Sequence, residues 1–433
     1  MNALFPNPTR IRDRFPALSQ STAFLDNAGG SHLPDCVIEA MTRYMRTAFV
    51  QTGGDYRASQ EATQNIARAR GVVRTFLGDP GDGASAGDVI FGSSSTVLCY
   101  ALASAIAEAR QKAAPGSDLA RRDQIVVCTA GHEANVGPWL KLAARGFEIV
   151  PWQVEWDARE RAWRPSLETL RRLVGARTRL VTFPQVSNIL GEVWDAAEVA
   201  RIAREAGARS VIDGVAYAPH RVPDVRALGC DWYVYSTYKV FGPHMAAMFG
   251  RADAFAELVG PNHEFIDRSA GPSKWELGGA NHEGCAGVSA LWEYVCWLAD
   301  LSRGRPYERP PAELSRGPFL EAFEVIRAVE EDLQERTLAY LRGKAGVRII
   351  GPDRPGEHRL CIISFVSERA SPEQISRHLA SRDIGIRRGH AYSKRLIEAM
   401  GMDAAAGIAR VSFQHYNTHA EVDRLCAALD EVL

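Results

Sequence analysis

Short runs of apolar and β-branched residues alternate with longer amphipathic stretches between residues 88 and 250. The runs that predict buried strands are 88–92, 124–128, 147–152, 179–185, 210–214 and 231–236. Helical periodicity appears between several of them, for example at 97–114 and 195–207. This alternation is typical of βαβ units that build a mostly parallel sheet. The pattern therefore predicts an α/β fold, with ligands bound by the loops that follow the carboxyl ends of the strands.

The last third of the chain has a different pattern. An apolar helix at 287–301 is followed by a segment rich in Pro, Gly and Arg at 303–318, which predicts a connector. Beyond it, helical and strand patterns succeed one another up to Leu433 and indicate a smaller α+β domain. We therefore expect a large domain over 21–302 and a small C-terminal domain over 303–433.

Composition and charge narrow the possible function classes. The 433 residues include 51 Lys and Arg against 52 Asp and Glu, so no net positive field attracts nucleic acid or an anionic membrane. No apolar run approaches the about 18 residues of a membrane helix, and the N-terminus lacks a signal-peptide pattern. The eight cysteines include no CxxC pair and no zinc-type cluster. We expect a cytoplasmic protein with reduced, buried thiols and no metal site.

Two residues at predicted strand ends carry the most informative chemistry. Asp213 ends an apolar strand, and Lys239 follows the next strand twenty-six residues later. Pyridoxal phosphate (PLP) needs a lysine for its aldehyde and a carboxylate for its pyridinium nitrogen. Spacing alone leaves a second interpretation open, in which a strand-end carboxylate and an unrelated surface lysine have no common task.

Other strand ends carry polar groups that have two interpretations each. Ser95 and Thr96 follow a strand and open an apolar helix, where a phosphate can bind, although an ordinary helix cap has the same pattern. His132 follows the strand 124–128 and either stacks on a cofactor ring or is structural. Asn188 follows another strand and either binds the phenolic oxygen of the cofactor or caps a turn.

The sequence resembles the class V aminotransferase superfamily and, within it, the cysteine-desulfurase-like proteins. The resemblance covers nearly the whole chain, in blocks that follow the order of the family: 24–30, 91–96, 131–135, 186–191, 210–243 and 410–425. It implies the aspartate aminotransferase-like fold, called fold type I, with a large PLP-binding domain and a smaller C-terminal domain. It also implies an N-terminal arm at 1–20 that packs on the small domain, and a homodimer with shared active sites.

The resemblance implies a role for each matching residue. Lys239 would bind the cofactor and act as general acid or base, Asp213 would keep the pyridine nitrogen protonated, and His132 would stack on the ring. The other cofactor-binding residues implied are Ser95, Thr96, Asn188, Ser236, Tyr238 and Asn281, the last in a loop that reaches the partner subunit. Tyr238 replaces the usual histidine, so its hydroxyl binds the phosphate or that contact is lost.

The implied substrate-binding residues are Asn27, Arg387, His390 and Tyr392. Arg387 matches the arginine that binds the substrate carboxylate in relatives, and Arg388 is its rival. Adjacent residues of a strand point to opposite faces, so we expect only one of the two in the site. The partner-reaching loop has Gly279 in place of the usual threonine, which favours a roomier cleft and a substrate larger than cysteine.

One position departs from the cysteine desulfurases. Tyr392 stands where those enzymes carry their nucleophilic cysteine, and no cysteine of this chain is near it in sequence. A tyrosine hydroxyl cannot replace a thiolate that attacks the substrate sulfur. We therefore expect a subgroup without the catalytic cysteine, and no classical desulfurase activity.

Three hypotheses for the function follow. The first is a PLP-dependent lyase that eliminates a thiol from a cysteine S-conjugate. The second is an aminotransferase, decarboxylating oxidative deaminase or epimerase of a specialised amino acid. The third is a non-catalytic binding protein, which the presence of both Lys239 and Asp213 disfavours. The expected partner is a small amino acid, with neither nucleic acid nor membrane involved.

Overall fold

The structure, a computed structural model, describes residues 8–79, 86–159 and 162–433. The strands of these residues are β1 (Ala23–Phe24), β2 (Gly87–Gly92), β3 (Gln124–Cys128), β4 (Glu148–Trp152), β5 (Val154–Asp157), β6 (Ala162–Pro165), β7 (Thr178–Pro184), β8 (Arg209–Asp213), β9 (Trp232–Ser236), β10 (Ala246–Arg251), β11 (Val347–Ile350), β12 (Ile362–Ser367), β13 (Ile384–Gly385), β14 (Arg387–Gly389) and β15 (Ile408–Ser412). The α-helices are α1 (Pro8–Arg12), α2 (Asp35–Thr47), α3 (Arg57–Leu77), α4 (Ser95–Gln111), α5 (Asp118–Arg121), α6 (Gly137–Leu140), α7 (Leu167–Leu173), α8 (Ala196–Glu205), α9 (Val225–Leu228), α10 (Ala252–Ala256), α11 (His282–Ser302), α12 (Arg316–Arg342), α13 (Pro372–Ser381), α14 (Lys394–Ala399) and α15 (His419–Asp430).

A seven-stranded sheet forms the centre of the molecule, in the order β2-β10-β9-β8-β7-β3-β4. The strands from β9 to β4 run parallel, whereas β10 pairs antiparallel with both β9 and β2. The sheet has an apolar core on each face: Val89 and Phe91 of β2 belong to one cluster and Ile90 belongs to the other. The predicted α/β fold with a mostly parallel sheet is confirmed.

Among the strands, β10 and the pair β5 and β6 were not predicted from the sequence pattern. The strand β10 is buried except at its last residue, so its sequence has no alternation of polar and apolar positions that would identify it. The β5–β6 hairpin lies outside the main sheet, and its Trp156 and Trp163 pair across the two strands. The strands β5 and β6 have four residues each, which is too short for a clear periodicity.

A second sheet is antiparallel, in the order β11-β12-β15-β14. Apolar residues of this sheet pack with those of α12, α13 and α15 into a separate core, to which Leu333, Ile375 and Leu425 contribute. The short strands β1 and β13 pair in parallel, which ties residues near the N-terminus to this region. The helix α12 begins at Arg316, inside the predicted connector, and the proposed domain boundaries stay a prediction.

The N-terminal arm predicted at 1–20 lies partly outside the described residues, which begin at residue 8. Within its described part, Arg12 forms an ion pair with Glu421 at 3.2 Å. Phe15 packs edge-on against Tyr294 of α11, with ring centroids 5.5 Å apart. The arm therefore contacts both the C-terminal region and the part of the chain that carries the large sheet. Across the described ranges, no helix has the length and apolarity needed to cross a membrane.

Candidate active site

The carboxyl edge of the large sheet gathers the polar residues singled out in the sequence. The strand β8 ends at Asp213, and β9 leads directly into the short turn Thr237–Lys239. His132 follows β3, and the helix α4 begins at Ser95, just after β2. Because β2, β3, β8 and β9 all run in the same direction, their carboxyl ends lie along one edge.

Lys239 and Asp213 are both buried, and the charge of each affects the pKa of the other. Burial, together with the positive charge of Arg410, lowers the pKa of Lys239 to about 8. Burial raises the pKa of Asp213 to about 6, opposed by a hydrogen bond from the Val215 N–H at 2.9 Å and by the lysine. A lysine that loses its proton this readily is a better nucleophile towards an aldehyde than an ordinary surface lysine.

His132 carries a neutral imidazole. Its Nδ1 accepts a hydrogen bond from the Ala134 N–H at 3.1 Å, which leaves the proton on Nε2. Burial first, and then the positive charges of Lys239 and Arg410, lower the pKa of His132 to about 3. A neutral ring next to the lysine is suited to stacking on an aromatic cofactor.

The beginning of α4 offers an anion site. Ser94 caps the helix by accepting a hydrogen bond from the Val97 N–H at 3.2 Å, so Ser95 and Thr96 are the first two helical residues. The buried Ser236 Oγ donates to Ser95 Oγ at 3.3 Å, which joins the end of β9 to this helix. Free backbone N–H groups and hydroxyls at a helix N-terminus favour a phosphate.

Tyr238 and Asn281 lie at the periphery of this arrangement. The ring of Tyr238 stacks on His244, with centroids 4.3 Å apart, and lies against Gly30, where a Cβ would come within 3.4 Å of the ring. Asn281 is exposed and caps α11 by accepting from the Gly284 N–H at 2.6 Å. Asn281 also lines a cavity of about 730 Å³ that is bordered by the segment 91–93 at the end of β2.

Asn27 and Asn188 are already bonded within the protein. The amide of Asn27 donates to the Ser412 carbonyl at 2.8 Å and to Asn417 Oδ1 at 3.0 Å, and its oxygen accepts from the Tyr416 hydroxyl. Asn188 donates to the Ala391 carbonyl at 2.9 Å and accepts from Ser393 Oγ at 2.7 Å. Asn188 therefore joins the loop after β7 to the segment 390–393.

The two adjacent arginines of β14 point apart, as strand alternation requires. Arg387 forms an ion pair with Asp26 at 2.6 Å, whereas Arg388 pairs with Glu373 of α13 at 3.2 Å. Asp26 is largely buried, directly before Asn27. Of the two, Arg387 is the one that faces the site.

Arg410 belongs to the site, and our sequence analysis did not select it. It lies in β15, its side chain is 4% exposed, and it donates to the Asn188 carbonyl at 3.0 Å. It shares Asp26 with Arg387, at 3.4 Å. An arginine at a buried position of an apolar strand, in the run 409–413, was the signal that could have identified it, because a buried charge needs a partner or a ligand.

Tyr392 lies beside His132, with ring centroids 5.1 Å apart and planes at 37°. Its N–H donates to His390 Nδ1 at 3.1 Å, and its carbonyl accepts from the Glu133 N–H at 2.8 Å. Its side chain nevertheless remains 68% exposed. The segment 390–393 thus presents an exposed aromatic ring next to the half-buried imidazole of His132.

These groups fit pyridoxal phosphate. The buried amine of Lys239 suits the aldehyde, the carboxylate of Asp213 suits the pyridinium nitrogen, and the neutral ring of His132 suits a stacking contact. The hydroxyls and the helix N-terminus near Ser95 suit the phosphate. Within the described residues, no cluster of His, Cys, Asp and Glu has the arrangement of a metal site.

The comparisons with known proteins agree with this fit. A family model described as "Aminotransferase class-V" matches residues 23–301 and 320–425. The chain belongs to the class V aminotransferase family. Members of the family depend on pyridoxal phosphate, so the cofactor prediction is confirmed, as is the prediction of fold type I.

Several proteins of the curated and solved sets are similar to this chain. It is 32% identical to the aminotransferase-like protein FGM3 of Gibberella zeae, over 98% of both chains. It is 28% identical to a cysteine desulfurase of Synechococcus elongatus, over 98% of this chain and 63% of the other. Among solved structures, it resembles the cysteine desulfurase CsdA (S-sulfonic acid) of Escherichia coli, at 26% identity over 98% of both chains and a TM-score of 0.77. An apo cysteine desulfurase of Thermococcus onnurineus NA1 has the same fold, at 23% identity over 98% of this chain and 97% of the other, with a TM-score of 0.78.

Proposed function

We propose that this enzyme is a C–S lyase that eliminates a thiol from a cysteine S-conjugate. The overall reaction adds one water and yields a thiol, pyruvate and ammonia. The observation that carries the proposal is the occupant of the position beside His132: an exposed tyrosine, Tyr392, and no thiol. The Lys239 and Asp213 pair needed for chemistry at Cα is present, while a group that would accept sulfur is absent from the described site.

The state of the cysteines supports this proposal. Seven of the eight are buried and Cys426 is half-buried. Burial raises the pKa of every one of these thiols. Even for the half-buried Cys426 the pKa is raised to about 11. Since the thiolate is the form that attacks sulfur, none of them is prepared for a desulfurase reaction near neutral pH.

We assign the following tasks to the residues of the chain. Lys239, Asp213 and His132 would hold pyridoxal phosphate, which would supply an electron sink for the negative charge that develops at Cα of the substrate. Lys239, whose pKa is lowered to about 8, takes the α-proton, and the bond from Cβ to sulfur then breaks with both electrons leaving on sulfur. Without substrate, Arg410 and Arg387 both pair with Asp26. When substrate binds, their guanidinium groups bind its carboxylate. The neutral ring of His132 keeps the cofactor plane in place.

A product assay tests the proposal. The purified holoenzyme is mixed with S-methyl, S-benzyl and S-carboxymethyl cysteine, and thiol, pyruvate and ammonia are measured together. Thiol and pyruvate in equal amounts support a lyase, and Lys239→Ala must abolish both. The absence of thiol from all conjugates, while the absorbance of the bound cofactor responds to them, would refute it.

Transamination is the second candidate, and the similarity to a protein named aminotransferase-like favours it. It starts at the same Cα, and the same lysine moves the proton. It differs in that a keto acid acceptor is consumed and a new amino acid appears without thiol. Release of carbon dioxide would instead indicate a decarboxylating oxidative deaminase, and loss of optical activity an epimerase.

We further propose a homodimer in the cytoplasm. Exposed apolar side chains, among them Phe49, Val97 and Leu277, line the cavity of about 730 Å³ beside the segment 91–93, where Asn281 also lies. A second copy of the chain that covers this surface would bury them and bring its own 278–282 loop to the phosphate-binding region. The eight free cysteines are consistent with a reducing compartment.

A further inference from the structure

Tyr392 has a backbone conformation that its residue type disfavours. Ala391 and Tyr392 have φ values of 43° and 61°, two consecutive non-glycine residues in the left-handed region. Glycine would adopt this conformation without steric cost, yet the chain carries an alanine and a bulky aromatic residue. Strained residues persist where the surrounding structure holds them, and they cluster at functional sites.

Hydrogen bonds from two other parts of the chain hold this strained segment. Asn188 binds Ala391 and Ser393, at 2.9 and 2.7 Å. The Glu133 N–H binds the carbonyl of Tyr392 at 2.8 Å, and Arg395 forms an ion pair with the Glu133 side chain. The backbone of Tyr392 is therefore fixed, although 68% of its side chain is exposed. Tyr392 thus differs from a mobile loop that covers the candidate active site.

The surroundings of the ring are electrically balanced. Glu133, whose N–H binds the carbonyl of Tyr392, has its carboxylate paired with Arg395. His390 lies edge-on to the tyrosine ring, with centroids 6.4 Å apart and planes at 83°. The open face of the ring is thus an apolar, planar surface with no unpaired charge on these neighbours.

We propose that Tyr392 is the specificity-determining wall of the substrate pocket beyond Cβ, and that it selects cysteine S-conjugates whose sulfur carries an uncharged planar group such as benzyl or phenyl. The inference rests on the proposed lyase function. The ring of such a group would stack on the open face of Tyr392, an interaction that pairs of aromatic rings favour beyond simple burial. A small or charged substituent would leave that face uncovered or lose hydration without gaining a partner.

Binding, rather than turnover, provides the sharpest test. The holoenzyme is titrated with S-benzyl, S-methyl and S-carboxymethyl cysteine, and the absorbance of the bound cofactor gives a dissociation constant for each. We expect S-benzyl cysteine to bind about tenfold more tightly than S-methyl cysteine, as a good aromatic pair predicts. Tyr392→Ala and Tyr392→Leu should reduce this preference to about threefold or less, whereas Tyr392→Phe should keep it.

Phe265 offers a matched control. It is an exposed aromatic residue, 86% accessible, that stacks on His263 with centroids 5.3 Å apart, much as Tyr392 lies beside His132. Phe265→Ala should leave the preference unchanged. The wall is refuted if Tyr392→Ala keeps the full preference, or if S-methyl and S-carboxymethyl cysteine bind the wild type as tightly as S-benzyl cysteine does.

The same titration distinguishes the proposed role of Tyr392 from the proposed lyase activity. If the preference depends on Tyr392 but no thiol is released, the wall stands and the lyase proposal fails. If thiol is released from S-benzyl cysteine but Tyr392→Ala binds it as the wild type does, the lyase stands and the wall fails. If the cofactor absorbance responds to no S-substituted cysteine, both are refuted.

Discussion

At the scale of single residues, the lowered pKa of Lys239 predicts how the apoprotein captures its cofactor. At pH 7 an amine with a pKa of about 8 is about one-tenth neutral, against about 1 in 3,000 at the ordinary 10.5. The rate at which the apoprotein binds pyridoxal phosphate should therefore rise about tenfold from pH 7 to 9 and then level off. Stopped-flow absorbance measures this rate, and a midpoint at pH 10 or above would contradict the lowered pKa.

Arg410 contributes to the lowered pKa of Lys239, and substitutions can either remove or keep its positive charge. In Arg410→Gln, the midpoint of the capture profile should move to higher pH, because a positive charge no longer opposes protonation of Lys239. Arg410→Lys keeps the charge and is the matched control, with a midpoint close to that of the wild type. An unchanged midpoint in Arg410→Gln would show that burial alone sets the pKa.

Asp26 is the shared counter-charge of two arginines, and its removal should be costly. Asp26→Asn leaves the buried guanidinium of Arg410 without a carboxylate, and we expect a loss of about 3 kcal/mol in the free energy of unfolding. Glu373→Gln breaks the exposed ion pairs with Arg377 and Arg388 and should cost less than about 1 kcal/mol. Urea denaturation of the two variants measures the difference, and similar losses would contradict this assignment.

At the scale of elements, the 390–393 segment depends on its bonds to Asn188. Ser393→Ala removes the 2.7 Å hydrogen bond to Asn188, which is worth about 1 kcal/mol. Amide hydrogen exchange in this segment should therefore become about fivefold faster. Exchange in the strands of the large sheet should not change. Ser381→Ala, which removes a bond to the His378 carbonyl at the end of α13, is the control and should leave the 390–393 segment unaffected.

At the scale of the whole molecule, the exposed apolar side chains of the cavity beside the segment 91–93 predict that the chain forms a dimer. The wild type should have about 95 kDa by light scattering, twice the 47.5 kDa of one chain. The double variant Phe49→Asp, Leu277→Asp should elute as a monomer and retain less cofactor, because charges are costly in an apolar interface. Leu320→Asp, an exposed site on α12, is the control. A monomeric wild type would refute the dimer.

The positions that could be predicted most directly from the sequence are those at strand ends. Asp213, Lys239 and His132 each follow an apolar run, and parallel strands bring such ends to one edge whatever the loops do. Residues whose position depends on the second sheet are less predictable from the sequence. Arg410 reaches the site because β15 pairs with β12 and β14, a set of contacts between residues far apart in the chain.

The fold class, the cofactor and the residues at the carboxyl edge of the large sheet could be predicted from the sequence, because local periodicity and motif order are written along the chain. Three arrangements could be found in the folded chain alone: Asp26 joins Arg387 to Arg410, Asn188 holds the 390–393 segment, and Tyr392 lies beside His132. These arrangements join residues separated by hundreds of positions. Burial and hydrogen bonding between distant segments, rather than any local pattern, select them.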